Sequence, residues 1–79
     1  MTQSARPALF RRSKNRPSPE RQELMASLAH TRTLINQAYG GFNRACDSAL
    51  IASYVFEINA LQARYNYLLR RIKELEATS

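Results

Sequence analysis

The stretch IASYVFEINALQARYNYLLRRIKEL, residues 51–75, decides the fold. Within it Ile51, Tyr54, Ile58, Leu61, Tyr65, Leu68, Ile72 and Leu75 follow one another at alternating spacings of three and four. Such spacing lays one apolar seam along a helix and is the a/d heptad pattern of helices that pack side by side. Neither glycine nor proline interrupts it. The expected helix runs over about 48–76, with Asp47 as its N-cap and a length of ~45 Å at 1.5 Å per residue.

Upstream, Leu24, Leu28, Thr31, Ile35, Ala38 and Phe42 form a second stripe of the same period. Ser18-Pro19-Glu20 reads as its start: a serine that can cap, a proline suited to the first helical position, and acids at the positive end of the dipole. Gly40-Gly41 reads as its stop, because glycine tolerates the left-handed conformation of a helix end. The expectation is therefore a helix over about 19–40, a loop over 41–46, and the long helix. A loop that short permits only antiparallel neighbours. The fold class is all-α: an antiparallel two-helix hairpin over 18–79, preceded by a flexible basic arm over 1–17.

The arm holds most of the charge. The whole chain is 79 residues with a formal net charge of +6. Arg6, Arg11, Arg12, Lys14 and Arg16 stand in a segment without an acid, whereas residues 20–79 are close to neutral. Cations so clustered can neutralise phosphates, and Phe10 can stack on a base, so nucleic-acid contact through the arm is one functional expectation. The competing reading is a solubilising tail. The arm has no amphipathic pattern suited to a membrane surface.

Enzyme chemistry finds no support in the residue pattern. His30, the one histidine, has no nucleophile or carboxylate constellation around it. A single cysteine, Cys46, rules out an internal disulfide and a paired-cysteine metal site, and fits a reducing, cytoplasmic setting. No apolar run approaches a membrane span, and the basic N-terminus lacks the apolar core of a signal peptide. The expectation is a non-enzyme with no catalytic residue, cofactor, metal or small-molecule substrate.

The second helix carries a further pattern. Ala49, Ala52, Phe56, Ala60, Ala63 and Tyr67 run down the face away from the seam. Small residues allow another helix to approach, and two aromatics anchor the ends of such a contact. Phe56, Glu57, Ala60, Ala63, Arg64 and Tyr67 are therefore the candidate protein-interaction residues, Glu57 and Arg64 acting as polar selectors at the edge. A homodimer, two hairpins forming a four-helix bundle, is the simplest expected assembly, and a different protein partner the other. Asn59 and Asn66, like Glu57, lie beside the seam, where polar groups set register.

The run Phe56-Glu57-Ile58-Asn59-Ala60-Leu61-Gln62-Ala63-Arg64-Tyr65, with Asp47 and Leu50-Ile51 before it and Leu68-Leu69-Arg70 after, resembles the YaaL-like family. These are short proteins of Gram-positive bacteria carrying a domain of unknown function. The resemblance covers roughly 20–75 and is specific over about 47–73. It implies a bacterial, cytoplasmic setting and a pattern shared at Glu57, Asn59, Arg64 and Tyr65, and brings no established activity. The arm of this chain is longer than the family's usual one.

Overall fold

In the computed structural model the chain is described over residues 18–78. The expected basic arm, with Arg6 to Arg16, lies outside them. Two helices make up the described part: α1, Pro19–Arg44, and α2, Ser48–Thr78. They pack antiparallel along their lengths, so the chain is an all-α hairpin.

Capping follows the sequence. Ser18 stands in an extended conformation, and its side chain accepts from the Arg21 N–H at 3.1 Å, with Pro19 next in the chain. Asp47 Oδ1 accepts from the N–H groups of Ala49 and Leu50 at 2.9 and 3.1 Å. Each cap satisfies backbone donors that the first helical turn leaves without partners.

The end of α1 departs from expectation. The helix does not stop at Gly40-Gly41 but continues to Arg44, and the connection shrinks to residues 45–47. Neither glycine takes a positive φ, and the C-cap is Ala45 in an extended conformation, its N–H donating to the Phe42 carbonyl at 3.2 Å. The reason lies in the packing. Phe42, the last position of the α1 stripe, is half-buried within the extra turn. Gly41 is itself buried, and a Cβ there would overlap the Tyr54 ring of α2. Glycine is used here for close approach of two helices rather than for a left-handed turn.

The core is the pair of predicted stripes, brought face to face. Leu28, Leu68 and Ile72 form its buried centre, with Leu24, Tyr65 and Leu69 packed against them. Ala38 and Ile58 are buried further along. Every seam position named from the spacing of α2, Ile51 to Leu75, is buried or half-buried. Thr31, 2% exposed, is the buried polar residue of the seam; its hydroxyl donates to the Ser27 carbonyl at 2.8 Å, so it enters the core satisfied.

Candidate interaction surface

With one face of α2 filled by α1, its other face can be read directly. Ala49, Ala52, Phe56, Ala60, Ala63 and Tyr67 are all exposed. Phe56 is 73% exposed, the most open of the large hydrophobics, and Tyr67 is 48% exposed. Ile58, two residues from Phe56, is 7% exposed. Two residues turn a helix by about 200°, so this contrast places the Phe56 stripe opposite the seam.

Glu57 and Arg64 border the stripe and are exposed. They are seven residues apart, two helical turns, and so share one flank. Neither makes an ion pair or hydrogen bond among the described residues. Asn59 and Asn66 share the opposite flank by the same spacing. Asn66 also lines an open groove between the helices with Arg32, Ile35, Gln62 and Tyr65. At the C-terminal end of the stripe, Arg70 stands over the Tyr67 ring, its Cζ 5.8 Å from the centroid.

Other charged groups are already engaged across the hairpin. Arg71 pairs with Glu20 at 2.6 Å and with Glu74 at 3.0 Å, and Arg21 pairs with Glu76 at 2.5 Å. The Arg71–Glu20 and Arg21–Glu76 pairs join the start of α1 to the end of α2, while Arg71–Glu74 lies within α2. The hydrogen bond to Glu74, opposed by partial desolvation and reinforced by Glu20, holds the Arg71 guanidinium above its ordinary pKa. A further bridge joins the helices nearer the loop, where Gln62 Nε2 donates to the Tyr39 hydroxyl at 3.1 Å. The residue spacing along each helix does not by itself reveal the Arg71 cluster or the Tyr39 bridge. Both join residues at seam-flanking positions, and the signal available was the antiparallel register itself, which sets Glu20 opposite Arg71.

Among the described residues, no group of three or more His, Cys, Asp or Glu side chains is placed to hold a metal ion. No helix there is long and apolar enough to cross a membrane. Cys46 is exposed in the short connection, its thiol 3.9 Å from the Arg44 carbonyl.

A family model described as "Protein of unknown function (DUF2508)" matches residues 9–78. The chain belongs to the DUF2508 family. The match takes in both helices, the connection and the outer face of α2. It also begins nine residues before Ser18, within the basic segment. No curated protein and no solved structure matches the chain.

Proposed function

We propose that this DUF2508 chain is a non-enzymatic interaction module that binds another helix, its own or a partner's, through the outer face of α2. The observation behind this reading is Phe56: an aromatic ring 73% exposed in the middle of a continuous apolar stripe, on a helix whose other face is already buried. Exposed apolar surface of this continuity is unfavourable in water and marks association surfaces. Ala60 and Ala63 bring a partner backbone close, Phe56 and Tyr67 supply the buried area, and Glu57 and Arg64 select at the edge. The shared pattern over 47–73 supports the YaaL-like name for the chain and a bacterial, cytoplasmic setting.

Retention from nuclease-treated host extract tests the reading. Tagged wild-type chain, Ala60→Glu/Ala63→Glu chain and an Ala29→Glu control on α1 are compared at equal helix content. A chain retained by wild type and control but lost from the double variant, a second copy of this protein included, is the expected result. Identical retention by all three contradicts it.

A second reading rests on a separate observation, the five cations and no acid of residues 1–17. In it the segment binds DNA or RNA through phosphates. Binding that falls with salt and vanishes on deleting residues 1–17 is expected, and absence of binding at low salt ends this reading.

A further inference from the structure

The outer face of α2 has an internal symmetry. Phe56 and Tyr67 lie equally far from the midpoint between Leu61 and Gln62, and so do Ala60 and Ala63. Along the helix the face reads large, small, small, large. The flanks follow the same centre to within a residue: Glu57 and Arg64 on one side, Asn59 and Asn66 on the other.

We propose that the occupant of this face is a second copy of the chain, paired antiparallel about a two-fold axis that crosses α2 between Leu61 and Gln62. This deepens, and rests on, the interaction-module reading. A two-fold contact presents one patch to itself, so residue i meets residue j and j meets i. Antiparallel pairing about this centre sets Phe56 against Tyr67 of the second copy and Ala60 against Ala63. The alanines sit where the helices cross, and the aromatic pairs close both ends.

Charge complementarity singles out this occupant and this direction. In an antiparallel helix pair, like flanks meet. Glu57 then faces Arg64 of the second copy, and Arg64 faces Glu57, which gives two ion pairs from two residues that have no partner within the described hairpin. Asn59 faces Asn66 on the other flank, amide to amide. A parallel pair sets opposite flanks together, so that Glu57 and Arg64 meet asparagines and no charge is matched. One face of a single helix is a small interface, so the dimer is weak and forms reversibly with concentration.

Sedimentation equilibrium of the full chain under reducing conditions, over a wide concentration range, tests the pairing. Wild type, Glu57→Arg, Arg64→Glu and the double swap are compared, with helix content checked by circular dichroism. The expected result is a monomer–dimer equilibrium weakened on the order of ten-fold by each single swap and restored by the double swap. A dimer whose strength ignores the swaps, or that the double swap fails to restore, overturns the antiparallel register. A chain that stays monomeric overturns the second copy as occupant. The face is then covered by residues 1–17 or by a different protein, and a Cys46→Ser/Phe56→Cys chain separates these: slow maleimide labelling of the monomer means the former, fast labelling the latter. The retention experiment, which also detects partners other than a second copy, decides separately whether the face is an interaction surface at all.

Discussion

Gly41 of α1 lies against the ring of Tyr54 of α2 so closely that a Cβ at position 41 would overlap Cζ, Oη and Cε1 of that ring. Its neighbour Gly40 has open surroundings, with only the Arg44 guanidinium in ordinary contact range at 3.5 Å from a Cβ placed there. Two adjacent glycines in one helix thus serve different ends.

Opposite outcomes follow for one substitution at the two sites. Gly40→Ala is expected to stabilise the hairpin by about 1 kcal/mol, the helix-propensity difference, because both residues have ordinary helical backbone. Gly41→Ala gains the same propensity and incurs an overpacking cost of about 1–3 kcal/mol, so it destabilises or at best breaks even. In a Tyr54→Ala background the sign at 41 reverses. Thermal and urea unfolding of the set, arranged as a double-mutant cycle, checks this.

Phe56 and Ile58 give a test of the two faces of α2 within three residues. Ile58→Ala removes a buried side chain and is expected to cost about 2–4 kcal/mol. Phe56→Ala, at a concentration where the monomer predominates, is expected to change stability by no more than about 0.5 kcal/mol. Comparable losses would mean that Phe56 packs inside the hairpin. Unfolding followed by circular dichroism at low concentration reads the difference.

The ties between the helix ends are exposed and should contribute modestly. Arg71→Gln removes the pairs with Glu20 and Glu74 and is expected to lower the melting temperature slightly at low salt, the difference shrinking as salt is added. The pKa of Arg71 is raised in the folded chain. A raised base contributes stability that is complete below its unfolded pKa and lost only as pH rises through the folded one. Both lie beyond the mildly alkaline range, so the Arg71 difference should stay flat from neutral to mildly alkaline pH. Melting curves at several salts and pH values check both statements; a difference that grows with salt contradicts the first.

How the sequence revealed this structure follows from which forces are local. The seam of α2 was legible because burial repeats with the helical period, so Ile51 to Leu75 announce their common face without reference to α1. The caps Ser18 and Asp47 were legible because each acts within three residues of itself. The Phe56 face was legible as the remainder, an apolar stripe out of phase with the seam. The end of α1 was not legible because the role of Gly41 depends on a residue thirteen positions later: only once Tyr54 is laid across it does the glycine appear as a contact rather than a stop. The Tyr39–Gln62 bridge and the Glu20–Arg71 pair were hidden for the same reason, since each needs the relative register of two helices. Residues 1–17 fall outside the described structure, and their expected role rests on charge alone.

In the pairing proposed above, α2 carries two apolar faces, one filled by α1 and the other filled by a second copy of the chain. Its most direct test is the solution mass of the full chain against concentration, for wild type and for Ala60→Glu, an exposed position where the charge leaves the hairpin intact. The wild-type mass is expected to climb from that of the 9.0 kDa chain toward twice that value, and Ala60→Glu to hold it at one chain. A wild-type mass that never leaves the single chain, or a variant that associates as strongly as wild type, would contradict it.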